Sequence, residues 1–221
     1  MPPTDGRERE IKLELGSAED RDRLLAVLPP PSEVKEQSNH YYDLPRGDLR
    51  AAGVMLRLRI EKTEHAGVGG TADDAGVGSR ERARITVKEG AKRDGAGLFD
   101  SAETEADVLV ADARRVAQGD VTFESLGGEI LTSLAARFGD LKSLACWGTL
   151  ENRRSVHPLD AEFVLEVDRA VYPDGTVLNE VELESDDPKG AHARLTALLD
   201  SVPVSYRPST ASKSERLAAM G

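Results

Sequence analysis

Glu8-Arg9-Glu10-Ile11-Lys12 alternates charged and apolar residues in a way that only a β-strand turns into a surface. Side chains point to opposite faces with period 2, so Glu8, Glu10 and Lys12 share one face and Ile11, Leu13 and Leu15 the other. Two carboxylates two residues apart, roughly 6–7 Å along a strand, suit a hard divalent cation, and the adjacent lysine suits an anion. The same alternation recurs downstream. In 54–62, Leu56, Leu58 and Ile60 oppose Arg57, Arg59 and Glu61; in 82–89, Ala83, Ile85 and Val87 oppose Arg82, Arg84, Thr86 and Lys88. Glu166 and Asp168, then Glu180, Glu182 and Glu184, repeat it with acids.

Around these strands the order of segments is readable. Ser17 caps a helix with acids in its first turn, which Pro29-Pro30-Pro31 ends. A second strand rich in aromatics covers 35–44, and 48–53 reads as a short helix or turn. Residues 64–79, rich in Gly, Ala and Asp, read as a flexible hairpin loop, within which Gly67-Val68-Gly69-Gly70 lacks the strand-to-helix context of a dinucleotide site. Residues 99–108 run into helical text at 111–118 and 123–138. Strands return at 145–156, 162–171 and 177–184, followed by a helix at 191–201 and a terminal segment, 206–220, containing Ser212-Lys213.

Composition narrows the setting. The chain has 221 residues and a net charge of −11, so a general nucleic-acid-binding surface is not expected. One cysteine, Cys146, rules out an intramolecular disulfide and a cysteine-based zinc cluster, and is read as a small buried residue. Trp147 and Phe138 are read as core, and the four scattered histidines as surface or packing residues. No apolar leader or membrane-length run is present, so a soluble, cytoplasmic protein with no membrane partner is expected, with residues 1–221 as one domain.

The charged faces are sorted by sign, acids on some strands and bases on others, as the facing walls of an enclosed lumen would be. Closing such a sheet with its charged faces inward requires helices over its apolar exterior and a neutralising content of water, metal and polyanion inside.

An ordered series of motifs resembles the CYTH superfamily, the triphosphate tunnel metalloenzymes, which include inorganic triphosphatases, thiamine triphosphatases and class IV adenylyl cyclases. Glu8-x-Glu10-x-Lys12 is similar to its opening signature, Gln37-Ser38-Asn39-His40-Tyr41-Tyr42-Asp43 to its second strand, Leu56-Arg57-Leu58-Arg59 to its paired-arginine strand, and Ile85-Thr86-Val87-Lys88 to its lysine strand. Asn152-Arg153-Arg154, Leu165-Glu166-Val167-Asp168, Glu180-Val181-Glu182 and Ser212-Lys213 resemble the later strands and the terminal lysine.

The resemblance implies an α+β fold: an eight-stranded antiparallel β-barrel forming a charged tunnel, with helices outside. It implies a divalent-metal-dependent triphosphatase acting on a small-molecule triphosphate, inorganic triphosphate foremost. It also implies that Lys12, Arg57, Arg59, Arg84, Lys88, Arg154 and Lys213 bind phosphate, with Arg153 the alternative to Arg154. Glu8, Glu10, Asp168, Glu180 and Glu182 are the implied ligands of Mg²⁺ or Mn²⁺, and Glu8, Lys12 and Glu105 the implied catalytic groups, Glu103 and Glu105 both falling where the family often has acids. A cyclase making cyclic AMP and a non-catalytic polyphosphate- or nucleotide-binding module are the alternatives.

Overall fold

The computed structural model describes residues 6–65 and 79–220. Its strands are β1 (Arg7–Leu15), β2 (Glu33–Asp43), β3 (Val54–His65), β4 (Ser79–Arg93), β5 (Leu98–Val108), β6 (Ala145–Pro158), β7 (Val164–Val171), β8 (Val177–Glu184) and the short β9 (Tyr206–Pro208). The helices are α1 (Ala18–Leu25), α2 (Asp48–Ala51), α3 (Val110–Ala117), α4 (Glu129–Phe138), α5 (Pro188–Asp200) and α6 (Lys213–Ala218).

Eight strands close on themselves in the order β1-β5-β4-β3-β2-β6-β7-β8, every pairing antiparallel. β1 is the closing stave. It pairs with β8 through residues 10–14, and its other edge is shared by β5 and β9. Gly97 makes that shared edge possible: Lys12 donates its amide to the Gly97 carbonyl at 2.9 Å, and a Cβ at position 97, where φ is +90°, would lie 2.5 Å from the Lys12 oxygen.

The apolar faces point outward, as the alternation predicts, and two cores form outside the barrel. One sets Leu56, Leu58, Ile85 and Val87 against Ala113 and Val116 of α3 and Leu131 and Leu134 of α4. The other sets Ile11, Leu13, Leu165, Val181 and Leu183 against Leu24 of α1 and Leu195 and Leu199 of α5. A third cluster, Tyr41, Leu150, Ala170, Tyr172, Leu178 and Leu217, lies on the inward face, where α6 docks. Gly148 admits that helix, since a Cβ there would stand 2.8 Å from Leu217 Cδ2.

Ser17 caps α1 as expected, accepting from the Asp20 amide at 3.0 Å. Other expectations are corrected. The helical text at 123–138 is split into a 3₁₀ turn, Phe123–Leu126, and α4, because Gly127 and Gly128 both take positive φ. Glu64, His65 and Ser79, read as loop, belong to strands, and 66–78, including Gly67-Val68-Gly69-Gly70, lie outside the described residues. Cys146 is exposed rather than buried, on the part of β6 that pairs with β2 but runs past the end of β7, and Trp147 and Phe138 are half-buried rather than core. Among the described residues, no helix is long and apolar enough to cross a membrane.

Candidate functional site

The inward face of the barrel carries the charged rows. On β7 and β8, register places Asp168 opposite Glu180 and Glu166 opposite Glu182. Asp168, Glu180 and Glu182 converge, each offering an oxygen within 4.8 Å of the others, and all three are buried. So many buried carboxylates require cations. Lys213, projecting from the start of α6, places Nζ 2.9 Å from Asp168 Oδ2 and 2.6 Å from Glu182 Oε1, and donates also to Glu180 Oε2. Arg154 forks across Asp168, Nε to Oδ1 and Nη2 to Oδ2 both at 2.7 Å, and reaches Glu182 Oε2 at 2.6 Å. Burial pushes the Asp168 carboxyl up, but Arg154 and Lys213 outweigh it and hold the group below its ordinary range. Burial pushes Lys213 down, and the three carboxylates more than reverse this.

Across the lumen stand Arg57 and Arg59 on β3. Arg57 donates to Thr86 Oγ1 at 3.0 Å and has Glu105 Oε1 at 3.9 Å, while its buried Nε has no partner among the described residues. Arg59 donates Nε to Asn39 Oδ1 at 2.8 Å and forms no ion pair among the described residues. Burial, with Arg57 and Arg154 nearby, lowers its pKa to about 10. Two neighbouring guanidiniums with this little compensation make an anion site, because an oxyanion entering there meets fixed donors and relieves their mutual repulsion.

The opening motif occupies a third wall. Lys12 Nζ lies 2.9 Å from Glu10 Oε1 and 2.7 Å from Glu182 Oε1. Burial lowers its pKa, but the two acids raise it far above the ordinary lysine range, so Lys12 is a held cation and not a proton acceptor. Lys88 pairs with Glu8, and Glu103 lies 3.2 Å from its ammonium. Glu8 and Glu10 are therefore not among the three converging carboxylates. Glu105 accepts from Thr86 Oγ1 at 3.0 Å and from Arg84, which also reaches Asp107. Arg84 and Glu105 meet in a smaller pocket that adjoins the main cavity, Glu105 lining both and Arg84 only the smaller one. Of the two candidate arginines on β6, Arg154 points inward, while Arg153 is exposed and pairs with Glu36 at 2.7 Å.

Some of the site carries little sequence signal. Asn39 and Thr86 position the two arginines, and neutral residues in a charged row do not announce such a role. Glu14 continues the Glu8-Glu10-Lys12 alternation yet was not among the expected residues. It is buried and accepts from Arg207 at 2.7 Å, from Ser209 and from Arg216 of α6. At the wide mouth, the Arg50 guanidinium lies 4.5 Å over the Trp147 ring, pinned by Asp43 Oδ2 at 2.9 Å, with Tyr41 and Met55 beside it. The main cavity measures about 980 Å³.

A hard divalent cation fits this chemistry: three buried carboxylates converge, and among the described residues Glu180 Oε1 is buried with no hydrogen-bond partner. Fold and site together define a closed antiparallel barrel with an ionised lumen and its apolar cores outside. A CYTH domain model matches residues 6–217, and the chain belongs to the CYTH family. It is similar in fold to a candidate adenylyl cyclase of Hippeastrum described as having a dominant triphosphatase activity, at 23% identity, TM-score 0.82 and 96% coverage of both chains. A candidate adenylate cyclase of Bacillus halodurans is similar at 21% identity and TM-score 0.64, covering 96% of this chain and 98% of that one. A Pyrococcus horikoshii protein is similar at 14% identity and TM-score 0.60, covering 96% and 99%. No curated protein matches the sequence.

Proposed function

We propose that this protein hydrolyses the terminal phosphate of a triphosphate, inorganic triphosphate or a small organic triphosphate, with Mg²⁺ or Mn²⁺. The observation that carries this reading is the opposition, in one buried lumen, of the undercompensated pair Arg57 and Arg59 to the converging Asp168, Glu180 and Glu182. A tight cation site facing a tight oxyanion site matches a metal-bound phosphate chain. The Hippeastrum protein's described triphosphatase activity points the same way.

In this reading Arg57, Arg59 and Lys88 hold phosphate oxygens, with Arg154 and Lys213 bridging to the acids. Asp168, Glu180 and Glu182 hold the metal, and Glu8 and Glu10 keep Lys88 and Lys12 charged and in place. When bound, the metal supplies charge neutralisation and lowers the pKa of a coordinated water. Hydrolysis would join a water oxygen to the terminal phosphorus and break the bond from that phosphorus to the bridging oxygen, which leaves with the diphosphate, while Arg57, Arg59 and Lys88 hold the phosphate oxygens in place. The released proton passes to a lumen carboxylate or to bulk water. Phosphoryl transfer needs mainly positioning and charge stabilisation, which these residues supply.

The Arg50–Trp147 stack beside Tyr41 keeps the cyclase reading in play, since it offers a flat surface to a base at the wide mouth. A panel of inorganic triphosphate, thiamine triphosphate, ATP and pyrophosphate, read for orthophosphate and for cyclic nucleotide, tests both. Orthophosphate is expected as the dominant product; dominant cyclic AMP from ATP would overturn the hydrolase reading.

A further inference from the structure

Beside the main cavity lies a second, narrow-mouthed pocket with a different character. A pocket of about 190 Å³ shares Arg59, Glu105 and Arg154 with the main cavity, so the two meet along a common wall. Its lining sets five cations, Lys35, Arg82 and Arg84 among them, against Glu61, Glu105 and Glu166, with no aliphatic or aromatic side chain. The wide mouth, by contrast, carries Tyr41, Met55 and Trp147. The narrow space falls below the roughly 300 Å³ at which pockets for organic ligands begin, and its wall favours a small, strongly hydrated anion.

The cations there continue the row that starts at the candidate phosphate site. Arg59 lies directly opposite Arg84 across β3 and β4, and Arg82 follows two residues on along the same face. The two outer arginines are compensated by carboxylates, while the inner one is not. Arg59 has no ion pair among the described residues, Arg84 reaches Glu105 and Asp107, and Arg82 is bound twice by Asp107 at 2.9 and 2.7 Å. A row whose hold on an anion weakens toward solvent lets the anion leave, since binding must be strong enough to admit it and weak enough to release it.

We propose that the narrow mouth is an orthophosphate-binding site and the route by which orthophosphate departs, while the larger diphosphate product leaves by the wide mouth. This rests on the triphosphatase reading, and it orients the substrate with its terminal phosphate toward Arg59 and Arg84.

The test uses the full chain with Lys35→Ala and Arg82→Ala, singly and together, so that a folding defect in the pair does not decide the matter. With inorganic triphosphate, single-turnover cleavage is expected to stay at the wild-type rate. Inhibition by orthophosphate should weaken at least about fivefold for the pair, as two cations leave a confined site, and inhibition by diphosphate should not change. In parallel, ³¹P line broadening of inorganic phosphate by the wild-type protein should be lost in the pair. Unchanged orthophosphate inhibition, or equal weakening for both products, overturns the proposal. If wild-type protein releases no phosphate from any triphosphate, the hydrolase reading fails, and the exit route with it. The ³¹P titration then still decides whether the narrow mouth binds orthophosphate.

Discussion

The ammonium of Lys213 lies 2.9 Å from Oδ2 of Asp168, joining the last helix of the chain to the middle of a barrel strand. With Glu180 and Glu182 completing the contact, this one cation carries much of the compensation for three buried carboxylates. Lys213→Ala should therefore destabilise the protein by about 3–5 kcal/mol, the usual consequence of stripping one partner from a buried ion pair. Millimolar Mg²⁺ should restore more of the melting temperature in the variant than it adds to the wild type. Equal shifts in the two proteins would count against the three acids as a cation cradle.

Arg59 presents the opposite case. It is a buried guanidinium with Asn39 as its hydrogen-bond partner and Arg57 and Arg154 as like-charged neighbours. Removing it relieves repulsion, so Arg59→Ala should melt at or above the wild-type temperature. It should also lose about 2–4 kcal/mol of transition-state stabilisation, roughly a hundredfold or more in kcat/KM, by analogy with a deleted oxyanion donor. A variant that is both less stable and fully active would place the anion site elsewhere.

Glu14 ties the carboxyl-terminal segment to β1 through Arg207, Ser209 and Arg216, and Arg216 lies one helical turn from Lys213. Glu14→Ala should free α6, seen as earlier proteolytic cleavage after residue 205 at unchanged cleavage elsewhere. Turnover should fall because Lys213 loses its placement, and Glu14→Gln should recover part of both effects. Protease resistance equal to wild type in the alanine variant would refute the tether.

Glu184 stands at the rim of the acidic row, where partial burial and then the charges of Glu8 and Glu10 push its carboxyl up to about 7. The folded protein thus keeps this proton where the unfolded chain, at the ordinary carboxylate value of 4.5, has lost it. Its contribution to stability is full below about pH 4.5 and declines as pH rises through 7. In chelator-containing buffer, Glu184→Gln should gain melting temperature relative to wild type between pH 5 and 8, and a flat difference across that range would remove Glu184 from the coupled row.

The staves of the barrel were legible because strand periodicity is local. Leu56, Leu58, Ile85 and Val87 alternate with Arg57, Arg59, Thr86 and Lys88, and that pattern allows only one face to be apolar. The helical break at Gly127-Gly128 was missed because an isolated glycine pair in apolar text does not reveal its φ angles. The exposure of Cys146 depends on how far β6 runs past the end of β7, not on its neighbours in sequence.

Sequence by itself determined which residues share a face, the sign of each row and the family pattern, since all of these follow from spacing along the chain. Only the tertiary structure decided which rows oppose each other. The convergence of Asp168, Glu180 and Glu182 on Lys213, the inward turn of Arg154 while Arg153 faces solvent, and the seating of Glu14 under Arg216 all depend on barrel register and on where α6 docks. Charges interact through space and screening falls away with burial, so the role of each depends on partners up to about two hundred residues distant, which spacing along a strand does not encode.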